Sequence, residues 1–398
     1  MDNPQTDAIK EQFEREIVVL LVDDQAIIGE AVRRMLVPHE DITFHYCQNP
    51  QEALARAAEV GATVILQDLV MPEINGLDLV PQYRQQPSTK DTPLIVLSTK
   101  EEAETKAQAF ALGANDYLVK LPDKLELVAR IRYHSKGYIN LLQRNAAYEM
   151  LAKSRQHLAE QMEAGAKYML ALLPEPVDSP VQVAWRYIPS ADLGGDTFGY
   201  HWIDDDHFAI YLIDVTGHGL DSALLSVTIM NVLRSRTLAN ANFRNPAEVM
   251  GALNDTFRME EYGDKLFTMW YGVYQRSTTM LSWSGGGHPD ALLFEGNDTK
   301  PISLESQGPM MGMMDWPEFE TGRHQVQSPA RLYVYSDGVH EIQTTSGGEW
   351  TFQEYVDFLA SIPPAPGGQV MDLLLAEVQK LGGSDQLVDD FSILEARF

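Results

Sequence analysis

The chain has 398 residues, 44% hydrophobic and 22% charged, and a formal net charge of −27. That length allows two or three buried cores, and the composition is that of globular domains. So much negative charge repels phosphate backbones and anionic lipid, which argues against nucleic-acid binding and membrane docking. One cysteine, Cys47, leaves no disulfide framework and no thiol metal cluster, as in a reducing cytoplasm. The first apolar run, Ile17–Val22, is too short for a signal-peptide core or a membrane span, so a cytoplasmic protein is expected.

Ile17–Val22 predicts a buried strand ending at Asp23 and Asp24, with a helix over Ala26–Leu36 behind it. Thr43–Tyr46, Val64–Asp68, Leu94–Leu97 and Ala114–Val119 predict four more strands, and the last three deliver Asp68, Ser98 and Lys120. Strands alternating with helices predict a doubly wound parallel sheet, α/β in class, with its working groups at the carboxyl ends of the strands. Asp23, Asp24 and Asp68 together suit Mg²⁺, and Lys120 can neutralise added negative charge.

This set, with Met71-Pro72 and Gly76, resembles the receiver domain of two-component response regulators. The resemblance implies a five-stranded receiver over residues 1–125, with Asp68 as phosphoacceptor and Asp23 and Asp24 joining it in holding Mg²⁺. It also implies Ser98 and Lys120 as phosphoryl contacts, Tyr117 as the switching aromatic, and a histidine kinase as phosphodonor. Leu121 separates Lys120 from Pro122, where the family usually has Lys-Pro.

Over residues 126–174, Val128, Ile131, Ser135, Tyr138 and Leu142 recur at alternating steps of three and four. After a slip of register, Leu151, Arg155, Leu158, Met162, Gly165, Met169 and Leu172 resume the repeat. This predicts a long helical coiled-coil linker, ended by Pro174, and a homodimer; a single helix packed on its own domains is the alternative.

In residues 175–398, Gly194-Gly195-Asp196 comes first, and Ile210–Ile213 then runs into Asp214-Val215-Thr216-Gly217-His218-Gly219. Phe267–Tyr274, Met280–Trp283 and Ala291–Phe294 read as strands, with Gly285–Pro289 as a loop between the last two. Arg331–Tyr335 is a strand followed by Ser336-Asp337-Gly338, and Asp389-Asp390 precedes the final strand. Helices fall at about 221–235, 246–259 and 351–380, a grouping that predicts an α+β domain. Carboxylates gathered at strand ends, without a Cys or His cluster, suit two Mn²⁺ or Mg²⁺ ions and hydrolysis of a phosphoryl group.

These pieces, in this order, resemble the metal-dependent PPM protein phosphatases of the SpoIIE branch. The resemblance implies a sandwich in which Asp214 bridges two metals and the Val215 carbonyl adds a ligand. Asp337 and Asp389 would serve one ion and Asp196 the other, with Asp390 beside Asp389 in the ligand set. His218 would act as general acid alongside Asp214 and Asp196, while His288 and His340 would be structural. Gly199 stands where many relatives have a second acid, which predicts weaker metal binding. Gly194–Phe198 also resembles the diguanylate cyclase signature, but Thr197 stands where a cyclase needs an acid.

The two resemblances together imply a response regulator that controls dephosphorylation of Ser or Thr on a partner protein. The implied substrate is a phosphorylated STAS-type anti-sigma-factor antagonist. A pseudophosphatase adaptor is the alternative.

Overall fold

The computed structural model describes residues 16–72, 74–99, 102–239, 241–296, 298, 300–315, 317–345, 347–363 and 368–398. Residues 1–15 of the expected receiver therefore lie outside the described residues. The chain divides into two compact units, Met1–Gln156 and His157–Phe398.

The first unit runs β1 (Ile17–Val22), α1 (Ala26–Leu36), β2 (Ile42–Cys47), α2 (Ala53–Val60), β3 (Val64–Asp68), α3 (Gly76–Gln85), β4 (Leu94–Ser98), α4 (Ala103–Leu112) and β5 (Asp116–Val119). Its five strands are parallel in the order β2-β1-β3-β4-β5. Strands covered on both faces can be apolar throughout, which is why they read as continuous runs. One face packs Leu20, Val22, Ile65 and Val96 beneath α2 and α3.

On the other face Val19, Leu21 and Leu66 meet Leu127, Val128, Ile131 and Ile139 of α5 (Lys124–Leu170). Thr63 Oγ1 donates to Ser135 Oγ at 3.1 Å, and Thr92 Oγ1 donates to Tyr138 Oη at 3.3 Å. The first part of the expected coiled-coil seam thus packs on its own sheet. An apolar stripe at steps of three and four fits a sheet as well as a partner helix, so spacing alone could not separate the two. Farther along α5, Leu151 and Leu158 are exposed.

The second unit begins with β6 (Gln182–Ile188), β7 (Asp196–Trp202) and β8 (His207–Val215), followed by α6 (Leu220–Ser235) and α7 (Pro246–Thr256). Next come β9 (Phe267–Gln275), β10 (Met280–Gly286), β11 (Ala291–Glu295), β12 (Ile302–Leu304), β13 (Gly322–Gln325) and β14 (Ala330–Tyr335). The small hairpin β15 (Ile342–Gln343) and β16 (Glu349–Trp350) precedes α8 (Phe352–Ser361), α9 (Gln369–Gly382) and β17 (Phe391–Arg397). The helical block expected at 351–380 is therefore α8 and α9, and 364–367 between them lie outside the described residues.

The two main sheets run β13-β10-β9-β8-β7 and β12-β11-β14-β17-β6. Their inner faces share one core, with Phe198, Ile210, Leu212 and Trp270 from the first against Leu293, Leu332, Val334 and Leu394 from the second. Helices α6 and α7 cover the outer face of the first sheet, and α8 and α9 that of the second. The result is the expected α+β sandwich.

Strand β10 continues through Gly285 and Gly286, which pair with Trp270 and Met269, where the sequence predicts a loop. A Cβ at Gly285 would collide with Ser306, and one at Gly286 would press on Met311. These glycines let neighbouring chain come close while still pairing in the strand.

Candidate metal and phosphoryl sites

In the first unit, β1 and β3 end side by side, so Asp23, Asp24 and Asp68 each offer an oxygen within 4.8 Å of the others. Lys120, just past β5, places Nζ 2.8 Å from Asp23 Oδ2 and 2.8 Å from Asp68 Oδ2. Burial works against the Lys120 charge, but its bonds to Asp23 and Asp68 outweigh that and raise its pKa. Burial raises the Asp68 pKa, with Lys120 opposing it and the Asp23 charge adding to it.

Gly76 is needed here, because a Cβ at that position would run into the Asp68 carbonyl. Gly76 N donates to Leu69 O at 2.8 Å and Asn75 caps α3, so the loop after Asp68 folds back tightly. Ser98 ends β4 and is buried beside this centre's strands, and its carbonyl accepts from Lys120 N at 2.7 Å. Tyr117 is buried within β5, with Lys106 Nζ 5.7 Å from its ring centroid.

In the second unit, alternate side chains of each strand enter the sandwich core. On β7 these are Phe198 and Tyr200, on β8 Ile210 and Leu212, on β14 Leu332 and Val334, on β17 Leu394 and Ala396. One more step in each row gives Asp196, Asp214, Ser336 and Ser392, and a second step past Ser392 gives Asp390. The core turns from apolar to polar at one end. Asp196 and Asp214 are Cα partners across β7 and β8.

Burial, then the charges of Asp337 and Asp389, push the Asp214 carboxyl up to about 7. Burial and Asp389 push Asp337 up to about 6. Asp196 is held well above the carboxylate range by burial and by Asp214 and Asp390. Its Oδ2 is buried without a hydrogen-bond partner. Acids from four separate segments therefore act on one another at this end of the sandwich.

Asp390 has its own task. Its Oδ1 accepts from Ser190 N at 2.8 Å and Ser190 Oγ at 3.0 Å, and its Oδ2 accepts from Asp196 N at 3.2 Å. It thereby ties down the loop that carries Gly194-Gly195-Asp196. Asp389, its exposed neighbour, accepts from Asp390 N at 2.8 Å. Gly195 lies so close to the Val215 carbonyl that no side chain would fit.

Gly217 and Gly219 take positive φ of 80° and 94°, which turns the chain from β8 into α6 with His218 exposed at the bend. Position 199, three steps from Asp196, faces the opposite side of β7, where Tyr211 fills the space. An acid there would point away from the acidic end, so Gly199 removes no ligand from it.

Lys265 carried no signal in the sequence, and His288 and His340, expected there as structural, stand beside the acids. Lys265 Nζ donates to Thr216 O at 3.2 Å and to Ser222 Oγ at 2.9 Å, bracing the Asp214–Gly219 turn. His288 and His340 line a cleft of about 400 Å³ with Asp214, Thr268, Asp337 and Phe352. Burial lowers His288 to about 3 and His340 to about 4, so both rings are neutral near pH 7.

With these sites in view, the fold and its acids define a receiver fold in the first unit and a PPM-type phosphatase fold in the second. Residues 19–132 match the response regulator receiver domain, and residues 204–398 match Stage II sporulation protein E (SpoIIE). The chain carries a response regulator receiver domain followed by a phosphatase domain of the SpoIIE branch.

Among curated relatives, phosphoserine phosphatase RsbP of Bacillus subtilis is 26% identical over 235 residues, 58% of this chain and 56% of that protein. Transcriptional regulatory protein ResD of B. subtilis is 35% identical over 117 residues, 29% of this chain and 47% of that protein. The chain thus spans about half the length of the curated relatives it matches. The solved SiaA-PP2C domain of Pseudomonas aeruginosa has the same fold, with a TM-score of 0.53 at 17% identity, over 62% of this chain and 99% of that one. Among the described residues no helix is long and apolar enough to cross a membrane.

Proposed function

We propose that the chain is a response regulator whose receiver controls a metal-dependent protein serine/threonine phosphatase. The carrying observation is the meeting of Asp196, Asp214, Asp337 and Asp389 at the polar end of the sandwich. Three of these carboxyls are raised chiefly by burial and by neighbouring acids, with Ser336 and Ser392 opposing the rise at Asp196. Oxygen donors so placed fit hard divalent cations, Mn²⁺ or Mg²⁺. Such ions, when bound, supply Lewis acidity and neutralise phosphoryl charge.

Asp214, central among the acids, is the residue that two ions would share, with the Val215 carbonyl beside it. Asp196 would hold one ion, and Asp337 with Asp389 the other. Asp390 is bound to Ser190 and the Asp196 amide, so its part is to hold the loop. His218, exposed on its turn, is placed to pass a proton to the leaving serine or threonine oxygen. In the receiver, Asp68 accepts the phosphoryl group from a histidine kinase, Asp23 and Asp24 join it in holding Mg²⁺, and Ser98 and Lys120 contact the group. Tyr117 relays the change.

Resemblance to a phosphoserine phosphatase supports a phosphoserine or phosphothreonine protein as substrate, and the SpoIIE branch supports a STAS-type anti-sigma-factor antagonist. The proposed setting is the cytoplasm. The exposed apolar positions of the later part of α5, Leu151 and Leu158, support a homodimer. The proposed segments are the receiver over 1–125, the linker over 126–174 and the phosphatase over 175–398.

The test is phosphate release from para-nitrophenyl phosphate by the full chain. Turnover should need Mn²⁺ or Mg²⁺, fall steeply in Asp214→Ala and change when beryllofluoride is added. Metal-independent turnover, or none at all, would defeat the enzymatic reading.

A further inference from the structure

The acidic centre of the second unit is built across two sheets. Asp196 and Asp214 lie at the ends of β7 and β8, whereas Asp337 follows β14 and Asp389 precedes β17. The interface between those sheets is mostly apolar, and apolar packing is non-directional. A polar contact at the acidic end is therefore what can fix how far apart the two pairs of acids stand.

We propose that His288 is a positioning residue for this centre, holding the acids of one sheet in register with those of the other. The inference rests on the metal-site reading given above. His288 lies in the segment that leaves β10 of the first sheet and enters β11 of the second. It is 4% exposed, and its Nδ1 stands 2.8 Å from Thr268 Oγ1. Thr268 is the Cα partner of Asp214 on the adjoining strand.

From the second sheet, the Tyr335 carbonyl acts on the same ring, although Nε2 makes no hydrogen bond of standard geometry. Tyr335 ends β14, two residues before Asp337. The ring therefore stands between the partner of one acid and the strand end that delivers another. It also forms part of the cleft wall shared by Asp214 and Asp337.

The segment itself has a fixed start. Gly287 N donates to Gly308 O at 2.8 Å, and Gly287 bridges to Met269, the residue after Thr268. With φ at +61°, Gly287 adopts a turn that side chains rarely allow, and this aims the next residue inward.

The experiment measures Mn²⁺ binding to the full chain by electron paramagnetic resonance of the free ion. An Asp24→Asn background keeps the receiver acids from adding a site. His288→Leu and Thr268→Val should each weaken Mn²⁺ binding roughly 10- to 100-fold, the usual loss when a group supporting metal ligands is removed. The double variant should lose no more than the worse single, because both changes break one contact. His288→Gln, which keeps a donor and an acceptor, should recover part of the affinity.

Circular dichroism and melting curves establish that each variant is folded. Parental Mn²⁺ affinity in a folded His288→Leu, or fully additive losses in the double variant, overturns the proposal. Should His288→Leu fail to fold, Thr268→Val decides alone, and parental affinity there overturns it. Parental Mn²⁺ binding in Asp214→Ala would instead overturn the metal reading, and the positioning role with it.

Discussion

The two units place aspartates at strand ends in the same way but balance their charge differently. In the receiver, Lys120 reaches two of the three carboxylates at 2.8 Å, so the site contains its own cation. In the phosphatase unit, Asp196, Asp214 and Asp337 are acted on by burial and by other acids. The receiver trio is tight enough that each pair of oxygens lies within 4.8 Å, and among the described residues it is the one such group. The C-terminal acids form no such tight group among the described residues. An aspartate at a strand tip is thus only half of a site. What stands beside it, a lysine in one unit and further acids in the other, sets how its charge is balanced.

The sharpest way to break this contrast is to remove one acid from each centre. Asp214→Ala should cut metal-dependent turnover of para-nitrophenyl phosphate on the order of 10²- to 10³-fold, as for loss of a preorganised charge-stabilising group. Asp68→Asn should remove the response to beryllofluoride in the same assay. A response that survives in Asp68→Asn would place the control elsewhere.

Removing the receiver's internal cation comes next. Lys120→Met leaves Asp23 and Asp68 buried without their partner, and should destabilise the receiver by about 3 kcal/mol. Mg²⁺ should restore more melting temperature to that variant than to the parent. Equal Mg²⁺ shifts in calorimetry would show that Lys120 does not balance this charge.

Asp390 separates holding a loop from holding an ion. Asp390→Ala should weaken Mn²⁺ binding roughly 10-fold, within the range for groups that orient ligands. Loss of all binding would instead make Asp390 a ligand.

The smallest effect concerns pH. Burial, then Arg236 and Arg234, lower His201 of β7 to about 4, against an unfolded value near 6.5. Below 6.5 the unfolded chain takes up a proton that the folded ring refuses until about 4, so stability falls as pH falls through that window. His201→Gln removes this loss and should gain on the parent by about 1.4 kcal/mol per pH unit below 6.5. Denaturant melts at pH 7 and pH 5.5 check the sign, and a constant difference between the two proteins would refute it.

Much of this was legible because strand chemistry is local. Apolar runs that stop at Asp23, Asp68 and Asp214 mark both where the strands end and what they deliver. The helix over Ala26–Leu36 and the strand over Val64–Asp68 fall where the sequence places them. Other features depended on partners far along the chain. Asp389 and Asp390 are indistinguishable as neighbouring acids, yet one is exposed and the other is bound to Ser190, 200 residues earlier.

Pattern also misled where two environments ask for the same pattern. The stripe from Val128 to Tyr138 satisfies helix spacing whether it meets a second helix or its own sheet. Gly285 and Gly286 look like a loop, but they continue a strand that neighbouring chain approaches closely.

The sequence by itself determined which residues end the strands and carry the charge, because period and composition are properties of short segments. Only the tertiary structure decided which of those charges share a centre and which carry Lys120, Ser190 or His288 beside them. In the first unit those choices come from the order of strands within one sheet and in the second from the packing of one sheet on another, and no local pattern encodes either.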